Sequence, residues 1–407
     1  MSDKDWWGKF MGFFSKEKTA EKSQKLKERY FTASQGQLIR ARFKSNRTAM
    51  VAGWALTTMI LIGLFAPFLS PHAPNMSGRD KQYENGPPQI PKFWDENGFS
   101  VRPFLYTTER ERSIKTNFRW VITENREKRR YVEFWVDGWE YSFIDLKLDL
   151  PGTALDFDLK TLTFNKHLFG MDKGGIHLFG TEKSGKDIFS RTLHAIYTSL
   201  AVGLLGVIIS FVLALIIGGV AGYFGGWTDS ILQMITDAIR TVPPIPLFMA
   251  LAAFMPDEWS AETRFFFIAT ILGLIGWPTL ARRIRTHLLS ERSQEYVLAA
   301  ELSGASAGHI IRKHLLPSFT SYIIVDLMIT FPYVVRSETA LSFIGLGLTD
   351  PVNSLGSLMQ NVSKADVLLN YQWYFIPVIF FVAFVLAFVF VGDGLRDASD
   401  PYSHTIK

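Results

Sequence analysis

The 407-residue sequence contains no cysteine. That excludes disulfide staples, thiol nucleophiles and thiolate metal sites. Charge is scarce as well. Asp, Glu, Lys and Arg make up 20% of the residues, against 48% hydrophobic and 14% aromatic, where soluble domains are nearer about 25% charged. The mean hydropathy is +0.12. Several stretches of about 20 residues carry no charge at all, the length that spans a bilayer. A purely soluble enzyme, a disordered chain and a small disulfide scaffold are thereby excluded. The histidines (His72, His167, His177, His194, His287, His309, His314 and His404) are scattered without metal-ligand spacing, so no metal site is expected. Gly180 to Asp187, GTEKSGKD, has the outline of a phosphate-binding loop. Yet Asp187 stands where a hydroxyl would hold Mg²⁺ and would repel phosphate. No catalytic residue and no bound cofactor are expected of this chain.

What is present is a set of apolar runs. Thr48 to Leu69 is the first and follows a polar segment, so it reads as an uncleaved signal anchor rather than a cleavable signal. The second, from Thr192 to Thr228, exceeds one bilayer thickness, and interfacial turns are expected within GYFGGW. Ser230 to Met255, Phe265 to Leu280, a run from about Ser318, and Tyr371 to Gly392 complete about six spans. The organisation is a segment 1–47, a first span 48–70, an insertion 71–190, a core 191–395 with a basic loop 282–317, and a tail 396–407. Trp6, Trp7, Phe10, Phe13 and Phe14 lie at helical spacing beside Lys9 and Lys16. They read as a short interfacial helix or, more blandly, as an aromatic tail.

Lysine and arginine near the spans set orientation. They crowd residues 1–47 and recur at Arg282, Arg283, Arg285, Arg292, Arg312 and Lys313. Six spans place both groups, and both termini, on the cytoplasmic side, with 71–190 outside. The net charge of +5 is therefore topology rather than a sign of nucleic-acid binding. Within the insertion, RYVEFWVDGWEYSFIDL alternates on both sides of Asp137-Gly138, which predicts a tight hairpin turn at that pair. HLFGMDKGG at 167–175 is echoed by HLFGTEKSG at 177–185, read as two turns leading into the second span.

Several segments in order resemble one family: RFKSNRTAMVAG and APFLSPHAP around the first span, HLFGTEKSGKDIFSRTLHAIYTSLAVG, GYFGGWTD at 222–229, YVLAAELSGASAGHIIRKHLLPS at 296–318, SETALSFIGLGL, and GDGLRDASDP. Together they are similar to the inner-membrane permease subunits of binding-protein-dependent ABC importers, in the oligopeptide/dipeptide/nickel group. The resemblance implies an all-α, type I permease with an external insertion, here containing a β-hairpin. It implies a second homologous permease, cytoplasmic ABC ATPase subunits that use ATP, and an external substrate-binding protein as partners, in a lipid bilayer and without nucleic acid. Short peptides are the implied cargo; another solute such as nickel or a sugar is the alternative, and a non-transport membrane scaffold a more distant one. The segment 296–317 matches the family's ATPase-coupling loop through Tyr296, Ala299, Ala300, Gly304, His314, Leu316 and Pro317. Leu298 stands where a glutamate is common and His314 where isoleucine is common.

The residues suit that role. Tyr296 to Ser303 makes about two helical turns, roughly 12 Å. Gly304 can take the left-handed conformation that ends a helix. Ala299 and Ala300 would let another protein approach closely, and a second helix, His309 to Leu315, is expected to end before Pro317. A bland alternative is an ordinary basic loop. Within the spans, each charge costs about 2.5–3.5 kcal/mol on insertion scales, so Asp237, Arg240, Asp326, Arg336 and Glu338 need partners or water. Asp237 and Arg240 are spaced to pair on one helix face, and the helix is expected to break at Pro243-Pro244. These five either line a path or gate, or fix helix packing. Gly203, Gly206, Gly218, Gly219 and Gly222 are expected to serve close helix packing.

Overall fold

The computed structural model describes residues 35–76, 83–96, 98–112, 120–143, 145–149, 156–160, 162–171, 175–256 and 259–399. The amphipathic stretch expected near Trp6 lies outside them. Helix α1 (Gln35–Ser45) leads into α2 (Arg47–Leu64) and the short turn α3 (Ala66–Leu69). Strands β1 (Lys92–Asp95), β2 (Gly98–Arg112), β3 (Trp120–Tyr131), β4 (Glu133–Ser142), β5 (Asp145–Asp149), β6 (Asp156–Lys160) and β7 (Thr163–Gly170) form the insertion. The core follows as α4 (Ile188–Phe224), α5 (Gly226–Thr241), α6 (Pro244–Ala253), α7 (Ala261–Glu291), α8 (Glu295–Leu302), α9 (Ala307–Ile310), α10 (Leu316–Ile344), α11 (Leu355–Gln360), α12 (Ala365–Asn370) and α13 (Ile376–Ser399).

Among the described residues α2, α4, α7 and the run Gln372–Ser399 are long and apolar enough to cross a membrane. The bent pair Ala307–Thr320 and Tyr322–Ile344 supplies a fifth span if taken together. The stretch expected as the third span is two shorter helices, α5 and α6, broken at Val242 and Pro243. This is the break expected there. Pro244 and Pro246 then fall in the first turn of α6, where a missing N–H costs nothing. The turn expected in this stretch forms at Gly225-Gly226, within GYFGGW. Helix α4 runs 37 residues and stops only at Gly225, whose φ of +64° suits a residue without a β-carbon.

Helices α4 and α7 are the central pair. A β-carbon on Gly218 would lie 2.5 Å from the Ala281 carbonyl oxygen, and one on Gly206 would lie 2.9 Å from Val334, so these glycines set the helix spacing. Gly203 and Gly222 are equally crowded, whereas a β-carbon on the buried Gly219 would meet nothing within 4 Å. One apolar core joins α2, α4, α6, α7, α10 and α13 around Val202, Leu272, Val335 and Phe384. A second, at the end remote from the insertion, gathers Ile284, Leu288, Val297, Ile310 and Leu315. Gly394 of GDGLRDASDP sits where any side chain would meet Ala49, so α13 lies directly on α2.

Among its described residues the insertion forms three small antiparallel sheets: β1-β2-β3, β4-β7 and β5-β6. Sequential pairs β2–β3 and β5–β6 supply the expected β-hairpin architecture. It does not turn at Asp137-Gly138. Strand β4 runs through that pair and bonds β7, with an irregularity between Asp137 and Tyr141. Gly138 is required for another reason: a β-carbon there would lie 2.5 Å from the His167 ring. That ring reaches the carbonyl oxygens of Pro67 and Trp139, both at 3.0 Å, and so fastens the sheet to the end of the first span. The echoed HLFG segments also differ from two turns. The first closes β7, and only the second is a loop leading to α4.

Candidate functional site: coupling segment and membrane charges

Helix α8 ends in a Schellman motif. The Ala305 N–H donates to the Ala300 carbonyl at 3.1 Å, and the Gly304 N–H to that of Glu301 at 2.9 Å. Gly304 has a φ of +79°, as its position required. Val297 anchors the helix in the core, beside the half-buried Ala300. Tyr296, Leu298, Ala299 and Leu302 face outward, with Leu302 91% exposed. An added β-carbon on Gly304 meets nothing within 4 Å. The helix therefore offers a small apolar face on an anchored base.

The second helix expected here differs from the reading. Helix α9 passes through one π turn, Ile311–Leu315, into α10, and the chain does not stop before Pro317. Pro317 occupies the first turn of α10, where it removes no intrahelical bond. Ile310 and Leu315 are fully buried, while His309 and His314 bring their rings to 5.9 Å, and His314 lies 6.4 Å from Tyr296. Leu316 packs on the same core. The stretch from α9 to Pro317 thus runs on as one helical path into α10.

The charges within the spans sort into two kinds. Asp237 pairs with Arg282 of α7 and not with Arg240. The three-residue spacing on α5 allowed the local pair, but the guanidinium of the neighbouring helix takes the carboxylate. Asp326 pairs with Arg283, its side chain only 3% exposed. Asp229 takes two bonds from Arg285. One helix, α7, thus supplies arginines to both flanking helices. Arg240 and Arg283 line one cavity of about 360 Å³ beside the α5–α6 break. Arg336 lies over the Tyr333 ring at 5.6 Å. Glu338 is fully buried and accepts from Ser342 at 2.7 Å, away from that cavity.

A family described as binding-protein-dependent transport system inner membrane component matches residues 214–403, and the N-terminal TM domain of oligopeptide transport permease C matches residues 34–88. A putative peptide permease protein of Brucella ovis is 34% identical over 266 residues, covering 64% of this chain and 82% of its own length. The dipeptide transport system permease protein DppC of Bacillus subtilis is 38% identical over 236 residues, 58% of this chain and 68% of its own. The protein of the same name from Lactococcus lactis is 28% identical but spans 88% of each chain. The chain belongs to this permease family. Inward-facing structures of the MetNI methionine ABC transporter are also similar, with a TM-score of 0.41 and 19% identity over 51% of this chain and 96% of theirs.

The permease's motif at 180–191 builds the insertion-side end of α4. Asp187 caps α4 by accepting from the Ser190 N–H at 2.7 Å, and its other oxygen meets His177 Nδ1 at 3.0 Å. Burial pushes the Asp187 carboxyl up, but the bonds from His177 and Ser190 outweigh it and hold the group below its usual range. Burial pulls His72 below its ordinary value, against the opposing pull of Asp187. Buried Arg191 joins Glu182, Asp350 at 2.7 Å and Asn353 at 2.5 Å. Burial raises Glu182 even so, with Arg191 opposing. Gly180, at φ +77°, leaves room for the Gly86 carbonyl. Sequence reasoning missed Arg191, Arg282, Arg283 and Arg285 as site residues. It counted the last three as loop charges, and only the helical register of α7 turns them inward.

Proposed function

We propose that this permease is one half of the translocation path of an ATP-driven importer for short peptides, with α8 and the turn after it as the segment that docks on a cytoplasmic ATPase. The peptide cargo rests on the names of the relatives, peptide permeases and dipeptide permeases from three organisms. The observation that carries the coupling role is the anchored helix with exposed Leu298 and Leu302. Tyr296, Leu298, Ala299 and Leu302 are exposed together on one short anchored helix, and an exposed apolar patch of this kind suits a protein partner. A second permease supplies the other half, an external binding protein delivers cargo at the insertion side, and the termini lie in the cytoplasm. The chain itself binds no nucleotide and catalyses nothing; ATP is used by the partner subunits.

Aspartate at Leu298 and Leu302 together tests this. Both side chains point outward, so the variant is expected to reach the membrane at normal abundance, lose copurifying ATPase and lose peptide uptake. Normal uptake by the well-expressed double variant would overturn the coupling role.

A further inference from the structure

Three proline-bearing elements meet around one cavity. The α5–α6 break lies at Val242 and Pro243, Pro278 falls near the middle of α7, and Pro332 near the middle of α10. Pro278 and Pro332 lie inside helices, lack an N–H and release a carbonyl from the helical ladder, while the α5–α6 break leaves the end carbonyls of α5 without helical partners. At membrane depth such carbonyls persist only where protein or water surrounds them, and broken helices at the midplane commonly frame a solute site. The cavity of about 360 Å³ there is lined by Arg240, Pro244, Pro278, Thr279, Arg283 and Tyr333 among others. Its described lining contains two arginines and no carboxylate.

Arg283 has a second position in the molecule. It also lines a cavity of about 690 Å³ toward the end remote from the insertion, together with Arg282, His287, Ser290 and Ser318. One side chain is therefore part of the wall of both spaces. Its partner Asp326 is buried, with Oδ2 making no hydrogen bond among the described residues. Only Arg283 Nη1 donates to this carboxylate, through Oδ1, so other donors of the guanidinium remain for another acceptor.

We propose that the proline-lined cavity is a transit site for the C-terminal carboxylate of a short peptide, received by Arg240 and Arg283 and passed by Arg283 to the second cavity. This rests on the peptide-permease reading above. A guanidinium matches a carboxylate with two parallel bonds, which a neutral or cationic solute does not offer. The volume falls within the range of small-molecule sites, about 300–1,000 Å³, and accepts one end of a peptide rather than a folded chain. Asp326 acts as a positioning residue that keeps Arg283 between the two spaces.

The absence of cysteine makes the test direct. Thr279→Cys places a single thiol in this subunit on the cavity wall. The assembled transporter, with its ATPases and binding protein, is treated with methanethiosulfonates of equal size, one an ethylsulfonate anion and one an ethyltrimethylammonium cation, and labelling of this chain is followed by mass. The anion is expected to react about tenfold faster than the cation relative to free thiol, the effect of nearby unit charges at intermediate dielectric. Adding Arg240→Gln and Arg283→Gln should abolish that preference, and Arg283→Lys should retain it in part. During ATP turnover a free dipeptide should slow labelling and its C-terminal amide should not. No labelling at all, equal rates for the two reagents, a preference that survives both glutamines, or equal protection by dipeptide and amide would each overturn the proposal. Failure of the underlying reading looks different: the wild-type assembly would take up no peptide, whatever the labelling rates.

Discussion

Arg191 shows how one side chain can hold an end of the molecule. Its guanidinium is 3% exposed and serves Glu182, Asp350 and Asn353 from three directions. Removing it leaves Glu182 buried without its counter-charge, so Arg191→Gln should destabilise the permease by about 3 kcal/mol, the usual cost of breaking a buried pair from one side. Thermal unfolding of the purified chain in detergent checks this. Nearby His72 gives a pH dependence. Burial favours its neutral form, so the folded value lies below the ordinary 6.5. Its contribution is present above 6.5 and is lost as the pH falls through the folded value. Stability should therefore decline on acidification below about pH 6.5, and His72→Gln should flatten that part of the profile. An unchanged slope in the variant would assign the decline to other groups.

Among the elements, α8 is the most sharply specified by sequence. Ala299, Ala300 and Gly304 could be read as a helix and its stop, because a left-handed cap needs glycine, and the structure places Gly304 at φ +79°. What followed was less legible. Pro317 looked like a terminator, but proline is equally at home in a first helical turn, and only the π turn at Ile311–Leu315 reveals which applies. Asp137-Gly138 failed for a similar reason. The pair fits a tight turn, yet Gly138 answers to the ring of His167, a residue remote in sequence. Intramembrane pairing was illegible as well, since spacing within α5 could not show that Arg282 of α7 claims Asp237. The span helices were legible because their apolar length is a local property. For α8, Gly304→Val should cost about 1–2 kcal/mol of local strain through its backbone alone, since open space surrounds the site. It should leave membrane abundance unchanged and abolish uptake. Gly304→Asn, which tolerates the left-handed region, should keep most of it. Ala300→Arg is a poorer probe, because Ala300 is half-buried against its own core and the variant would disturb folding as well as docking.

At the scale of the whole molecule, the insertion is fastened where it leaves and rejoins the helices. Gln89 and His177 exchange bonds of 2.8 and 3.0 Å, Gly86 and Thr181 bond at 2.8 and 2.9 Å, and Asn85 and Thr181 reach Tyr374 and Trp373 of the last span at 2.7 and 3.2 Å. Helix α2 in turn lies against α4 at Gly63 and against α13 at Gly394. The chain running out to the sheets and the chain running back are thus buckled together at their base. A covalent link through the sheets is then redundant for keeping the first span in place. The permease should work as a two-piece protein: coexpressed halves divided between β2 and β3 should migrate together under native conditions, separate on a denaturing gel, and restore uptake. Halves that fail to copurify would mean that continuity of the chain, rather than the buckle, keeps the first helix seated.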